Sequence, residues 1–222
     1  MNYQSALVLS VLLVLGLAHA SASPLGRVLS RLRKQAGAGG LSSASSLRIR
    51  YRHLYAITRA LSEDHKTLYE DFKNERYPND TNPRVYDMVL AYLPDTTSFP
   101  SNRINHSDDQ LLGLHYDNLV IFKDTLDRVK ETETGNITDK VNTVAEKLDE
   151  VISRLTSSLM AVNGGAPSTA GPPTIIPPFH TNVTTGEHNT RTLLVLQKFD
   201  GYITEVVIDY LTLKTRYARS SN

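Results

Sequence analysis

Residues 46–76 read SLRIRYRHLYAITRALSEDHKTLYEDFKNER and carry a clear helical pattern. Apolar or neutral side chains return at alternating spacings of three and four residues, which is the period of one face of an α-helix. Ser45 and Ser46 offer a cap, and Tyr77-Pro78 ends the pattern because proline disfavours helical geometry in the residue before it. The stretch predicts a first helix, α1, at residues 46–76. Its buried face is predicted to consist of Leu47, Tyr51, Leu54, Thr58, Leu61, His65, Leu68 and Phe72.

Three further stretches of the sequence have the same period. Ser107-Asp108-Asp109 offers capping groups and negative charge for the start of a second helix, α2, predicted at residues 108–132. A pattern bounded by glycines on both sides predicts α3 at residues 138–162, and a last one predicts α4 at residues 188–217. The chain is therefore predicted to be all-α, with a helical bundle at residues 46–217.

The connections between these helices predict the topology. The connections at residues 77–107 and 163–187 are long, whereas the one between α2 and α3 is short. Short connections join antiparallel neighbours, while a parallel successor to a helix of about 40 Å needs a crossover of at least about 12 extended residues. The order long, short, long predicts a long-chain four-helix bundle, up-up-down-down with two long crossover loops.

The first residues of the chain indicate export. Ala6 to Leu17 form an apolar run that is shorter than the roughly 20 residues needed to span a bilayer, and small-x-small patterns follow it. We predict a signal peptide at residues 1–22, a basic flexible segment at residues 23–45, and a secreted, extracellular protein. Four Asn-x-Ser/Thr sequons agree with that compartment, and all lie outside the predicted helices. The predicted N-glycosylation sites are Asn79, Asn105, Asn136 and Asn182.

Positive charge is concentrated near the start of the sequence. Eight basic residues precede Glu63, which is the first acidic residue. Such a stretch can contact glycosaminoglycans or remain a solvated arm, and both interpretations stay open. Nucleic acid is not expected as a partner of an exported protein. The eight residues are Arg27, Arg31, Arg33, Lys34, Arg48, Arg50, Arg52 and Arg59.

The sequence carries no pattern that is typical of an enzyme or a metal site. It has no cysteine, which excludes disulfides, thiolate metal ligands and a cysteine nucleophile, so the two long connections have no covalent staple. None of the seven histidines has a close metal-binding spacing, and nucleophile-elbow and phosphate-loop patterns are absent. His65 is predicted to be a core histidine, and Asp108-Asp109 to be solvated charge. We expect no catalytic residue, no metal and no cofactor, and a function carried by the surface.

The signal peptide, the sequons and the predicted topology together resemble those of a secreted helical cytokine. Residues 51–59, YRHLYAITR, are similar to the first helix of the interleukin-6 family, in its branch of ciliary neurotrophic factor, cardiotrophin-like cytokine and leukaemia inhibitory factor. Residues 193–197, LLVLQ, are similar to a motif in the last helix of that branch. The resemblance implies a ligand, monomeric before receptor binding, that clusters cell-surface receptors including the family's shared signal-transducing glycoprotein receptor. Receptor-associated kinases would then become active inside the cell.

The resemblance also implies three receptor-binding surfaces. The first combines the end of α4 with the late α1–α2 connection, and the second lies on the outer faces of α1 and α3. The branch marks the third, at the start of α4, with Phe-x-x-Lys, which this sequence lacks. The residues transferred by position are Lys214, Arg216 and Tyr217 for the first surface, and Arg52, Arg59, Glu146 and Arg154 for the second.

A secreted amphipathic-helical lipid-binding or antimicrobial protein is the competing class. Amphipathic helices with a basic start are also typical of proteins that lie on membranes. The two long connections favour the bundle, because a helical array on a lipid surface does not need them.

Overall fold

The computed structural model describes residues 44–80, 83, 90–96, 99, 103–164 and 183–219. All regular structure in these ranges is helical, which confirms an all-α protein and agrees with a four-helix bundle. None of the described helices is apolar over enough of its length to cross a bilayer. The predicted signal peptide, nearly all of the basic segment and Asn182 lie outside the described residues. The helices are α1 (Ala44–Arg76), α2 (Asp108–Lys130), α3 (Asn136–Asn163) and α4 (Thr185–Arg219), with a 3-10 turn at Arg103–Asn105.

The ends of the helices differ from the predicted ends by up to three residues. The prediction that Ser45 and Ser46 cap α1 is wrong, because the helix begins at Ala44 and includes both. α4 begins three residues early because Thr184 and Glu187 form a capping box. The Thr184 N–H donates to Glu187 Oε2 at 2.8 Å, and the Glu187 N–H donates to Thr184 Oγ1 at 3.2 Å. α3 ends at Asn163, and its C-cap is Gly164, whose φ of 69° is left-handed and favours glycine.

One apolar core joins the four helices. All eight side chains of the predicted α1 face are buried, and the rings of Phe122 on α2 and Phe199 on α4 lie 4.9 Å apart. Leu93 and Phe99 of the α1–α2 connection are buried in the same cluster. A helix of this length gains most of its stability by packing its apolar face against other elements, so the four helices depend on one another.

Ion pairs on the surface join α1 to α3. Asp64 pairs with Lys147, and Asp71 pairs with Lys140. The two pairs are seven residues apart on each helix, and the residue numbers rise on α1 while they fall on α3. α1 and α3 therefore run in opposite directions where they touch.

Candidate interaction surfaces

At one end of the bundle, three helices meet at the carboxylate of Asp108, and we call this the Asp108 end. The Tyr51 hydroxyl donates to Asp108 Oδ2 at 2.6 Å, and Arg216 Nη1 donates to Asp108 Oδ1 at 2.6 Å. The Tyr217 ring packs edge-on against the Tyr51 ring at 5.2 Å. Asp108 is only 8% exposed, so the prediction that it is solvated charge is wrong. Its charge is balanced by Arg216 and its hydrogen bonds are supplied by neighbours on α1 and α4.

The late part of the α1–α2 connection is fixed to α4 by a polar cluster, which we call the loop clamp. Arg103 Nε donates to Asp209 Oδ1 at 2.8 Å, and Arg103 Nη2 also donates to Glu205. The Phe99 ring lies under the Arg103 guanidinium at 4.8 Å and stacks on the Tyr202 ring at 4.9 Å. The clamp therefore holds the connection against two successive turns of α4 without a disulfide.

His115 of α2 lies beneath the clamp and completes it. Its Nε2 donates to Asp209 Oδ2 at 3.1 Å, which leaves Nδ1 to accept from the Tyr202 hydroxyl at 3.3 Å. Burial lowers the pKa of His115, although the carboxylate of Asp209 opposes the effect. His115 and Tyr202 are both fully buried, so this Asp–His–Tyr chain has no face that a substrate can reach. Its role in the described structure is to fix elements in place.

Among the described side chains in the second half of α4, those classed as exposed carry no charge, and we call the face that they form the α4 stripe. Ile208 is 48% exposed and Leu211 is 42% exposed, and their spacing of three residues places them side by side on the helix. The hydroxyls of Thr204 and Thr215 donate to the carbonyls of Asp200 and Leu211 within the helix. An exposed apolar strip with no competing charge is typical of a protein contact surface. The stripe consists of Thr204, Ile208, Leu211, Thr215 and Ala218.

A groove runs between the start of α1 and the end of α4, and we call it the α1–α4 groove. It is lined by Arg48, Ile49, Arg52, Lys214 and Ala218. The Lys214 ammonium lies 4.4 Å from the centre of the Tyr55 ring, which keeps it at the groove. Sequence analysis assigns Arg52 and Lys214 to different receptor-binding surfaces, but the structure brings them together.

The other residues predicted for receptor binding have different surroundings. Arg59 pairs with Glu63 at 2.9 Å and Arg154 pairs with Glu150 at 3.6 Å, each on its own helix. Glu146 is exposed on α3. These side chains remain accessible on the outer faces of α1 and α3. Arg216 and Tyr217 differ from them, because both contribute to the contacts of the Asp108 end.

The opposite end of the bundle is organised around Glu133, and we call it the Glu133 end. Glu133 is 5% exposed and accepts hydrogen bonds from Arg76 Nη2 at 3.0 Å, His188 Nε2 at 3.0 Å and Thr192 Oγ1 at 3.1 Å. These donors come from the last residue of α1 and the first turns of α4, while Glu133 follows α2. A single buried carboxylate thus connects three helix ends.

The described sequon asparagines are accessible. Asn79, Asn105 and Asn136 are exposed. Asn79 lies three residues after Arg76 and Asn136 lies three residues after Glu133, so both are close to the Glu133 end in the chain. Asn105 lies in the 3-10 turn beside Arg103.

His65 occupies the core position that its place in the sequence predicts. Its Nε2 donates to the Leu196 carbonyl at 2.8 Å, and its ring packs edge-on against Phe199 at 4.8 Å. Burial lowers the pKa of His65 to about 4, although the hydrogen bond to Leu196 partly opposes the shift. The folded protein therefore holds this imidazole in its neutral form. Among the described residues, no group of three potential ligands could hold a metal ion.

We expect acid to destabilise the fold through His65. In the unfolded chain its pKa is about 6.5, so between about pH 6.5 and 4 the unfolded state binds a proton that the folded state does not. The free energy of unfolding should fall by about 2 to 3 kcal/mol between pH 7 and 4.5 from this residue. The burial of His115 acts in the same direction. Urea denaturation at both pH values measures the loss.

The variant His65→Gln separates this contribution from that of other groups. Glutamine can still donate to the Leu196 carbonyl but does not titrate, so its stability should depend less on pH than that of the wild type. His53 is exposed, and His53→Gln should keep the wild-type dependence. Equal pH dependence in His65→Gln and wild type would refute the assignment.

Sequence analysis did not identify the residues of the loop clamp or of the Glu133 end. A signal was present for two of them. His115 lies four residues from both Leu111 and Leu119, and Asp209 lies three residues after Val206, so both fall on apolar faces. A titratable residue on such a face is expected to have a buried partner. Arg103 and Glu133 lie in connections, where no periodic pattern marks them.

No family model and no curated protein matches the sequence of this chain. The resemblance to a family therefore rests on the short motifs in α1 and α4.

Proposed function

We propose that the protein is a secreted cytokine-like ligand that binds and clusters cell-surface receptors, including a shared signal-transducing receptor of the interleukin-6 family class. The observation that carries this proposal is the α4 stripe, which leaves Ile208 and Leu211 exposed beside a connection that the loop clamp holds in place. A rigid apolar strip suits a protein partner, because apolar anchors in well-packed surroundings dominate most protein interfaces.

The proposed topology is up-up-down-down, with the connections before α2 and before α4 as crossovers. Two sets of contacts support it. The starts of α1 and α2 meet the end of α4 at the Asp108 end, through Tyr51, Asp108 and Arg216. The ends of α1 and α2 meet the start of α4 at the Glu133 end. This arrangement is the one used by growth hormone and cytokine bundles.

The first proposed receptor surface consists of the α4 stripe and the adjoining connection. Of the residues transferred by position, Lys214 faces the α1–α4 groove beside this surface. We assign Arg216 and Tyr217 to support of the helix ends, with their partly exposed edges available to a receptor. Ile208 and Leu211 join the surface as its apolar anchors.

The second proposed surface uses the outer faces of α1 and α3, with Arg59, Glu146 and Arg154 as its accessible charges. The pairs that Arg59 and Arg154 form on their own helices are exposed and contribute little to folding, so both arginines can exchange them for contacts with a receptor. The third surface, at the start of α4, lacks the Phe-x-x-Lys motif. We therefore propose that the first two surfaces carry the receptor contacts.

Secretion and N-glycosylation belong to the same proposal. The sequons at Asn79, Asn105 and Asn136 are exposed, so glycans at these positions would not disturb the core. The lipid-binding alternative has less support, because the buried carboxylates of Asp108, Glu133 and Asp209 fix contacts between helices that an open array on lipid would lose. The test is whether added protein activates receptor-associated kinases in cells that carry defined receptor combinations.

A further inference from the structure

The α1–α4 groove holds three positive charges that no neighbouring carboxylate balances. Within the described part of the chain, Arg48, Arg52 and Lys214 form no ion pair, and no acidic residue lines the groove. Several cations elsewhere on the helices are paired, as Lys140 and Lys147 are with α1. The groove is therefore a local concentration of positive potential.

The spacing of the two arginines favours a bound anion. Arg48 and Arg52 lie four residues apart on α1, so they are neighbours on one side of the helix, and like charges at this spacing weaken a helix slightly. Lys214 faces them from α4. An anion placed between the three side chains would remove their mutual repulsion and gain charge-assisted hydrogen bonds.

The sequence that precedes α1 is also rich in positive charge. It contains Arg27, Arg31, Arg33 and Lys34, and no acidic residue occurs before Glu63. A ligand with negative charge repeated along its length can gain from basic residues in more than one part of the sequence. An acidic patch on a folded partner is compact and would use only the groove. The distribution of charge therefore favours a linear polyanion.

We propose that the α1–α4 groove is a binding site for a sulfated glycosaminoglycan chain. Arg48 and Arg52 would each present a planar fork of donors to a sulfate, while Lys214 would act as a point charge. Ile49, which is 50% exposed, and the arginine stems would contact the apolar faces of the sugar rings. The proposal rests on the extracellular location in the proposed function, but it does not require receptor activation.

Binding of the full-length secreted protein to heparin oligosaccharides tests the proposal, with affinity measured at several salt concentrations. The triple variant R48S/R52S/K214S should bind about tenfold or more weakly near physiological salt, and its affinity should fall less steeply with added salt, because fewer counterions are released. The control K66S/R128S/K130S removes the same charge from exposed positions on α1 and α2. Its affinity for heparin should stay within about twofold of that of the wild type, since salt screens charges that lie far from the groove.

Two further variants separate the groove from other sources of binding. The first variant has Arg27, Arg31, Arg33 and Lys34 replaced by serine, and the second adds the groove substitutions to it. The first should retain heparin binding, and the second should lose it. If R48S/R52S/K214S binds heparin with the same affinity as the wild type, the proposal is overturned. Loss of receptor signalling with unchanged heparin affinity would also overturn it, since that result would assign the groove to an acidic protein partner. Thermal unfolding of each variant checks that the fold is intact, and the heparin measurement does not depend on any receptor.

Discussion

The variant Asp209→Asn is expected to lose about 3 kcal/mol of unfolding free energy. The side chain of Asp209 is 5% exposed and accepts from both Arg103 Nε and His115 Nε2. An asparagine of the same size is neutral and has only one acceptor oxygen, so the Arg103 guanidinium would lose its charged partner at this position. Removing one partner from a buried charged pair typically costs about 3 to 5 kcal/mol, because the remaining charge stays buried and unbalanced. Glu205 still pairs with Arg103, which places the expected loss at the lower end.

Urea denaturation followed by circular dichroism measures this loss. The matched control is Asp64→Asn, which breaks the pair with Lys147 at a site where both side chains are about one third exposed. Exposed pairs contribute about 1 kcal/mol or less, so the control should stay near the wild type. Hydrogen exchange at residues 103–106 should also become faster in Asp209→Asn, since the loop clamp would be released. Similar small losses in both variants would contradict the role given to the clamp.

The double variant I208D/L211D is expected to reduce receptor activation by roughly 100-fold or more. Anchors at the centre of an interface typically contribute 2 kcal/mol or more each, and tenfold in affinity corresponds to about 1.4 kcal/mol. Because Ile208 and Leu211 are 48% and 42% exposed, the fold should tolerate the substitutions. The dose of protein that gives half-maximal kinase phosphorylation in responsive cells measures the effect.

The control for this variant is R128S/K130S, which changes the net charge by the same amount. Both of its positions are exposed on α2, outside every proposed receptor surface. It should keep full potency, and thermal unfolding should match the wild type in both variants. Full potency of I208D/L211D would rule out the α4 stripe as a receptor contact.

The helices could be predicted from sequence because their apolar faces repeat locally. The α1 face is an example, since all eight of its predicted positions are buried. Local signals also set the ends, and Gly164 and the Thr184–Glu187 capping box mark two of them. The capping box is a local sequence signal that the prediction of α4 at residues 188–217 does not use, and the predicted start is therefore three residues late. Periodicity is less informative at the start of α1, where Ser45 and Ser46 continue the helix.

The candidate surfaces could be predicted only in part, because they depend on partners far apart in the chain. Arg103 and Asp209 are 106 positions apart, and no local pattern relates them. Exposure on one helix likewise does not indicate which helix lies beside it. The resemblance places Arg52 on a surface with α3, whereas Arg52 lines a groove with α4. The burial of Asp108 could not be predicted for the same reason, because its donors come from α1 and α4.

Because the chain has no cysteine, the loop clamp takes the place that a disulfide could otherwise have in holding the connection before α2. Without a disulfide, the long connection before α2 depends on noncovalent contacts to keep its position. The clamp and the pair between Lys198 and Asp95 at 2.8 Å provide such contacts along α4. The proposed first receptor surface therefore depends on the Arg103–Asp209 pair of the loop clamp, because no disulfide holds the connection in place.

Signalling in cells with defined receptor combinations tests the central claim most directly. Secreted full-length protein is added to cells that lack cytokine receptors, to cells that carry the shared signal-transducing receptor alone, and to cells that carry it with further receptor chains of the family. We predict dose-dependent phosphorylation of receptor-associated kinases in at least one combination that contains the shared receptor, with a reduced response to I208D/L211D. The absence of kinase phosphorylation in every combination that contains the shared receptor would contradict the claim.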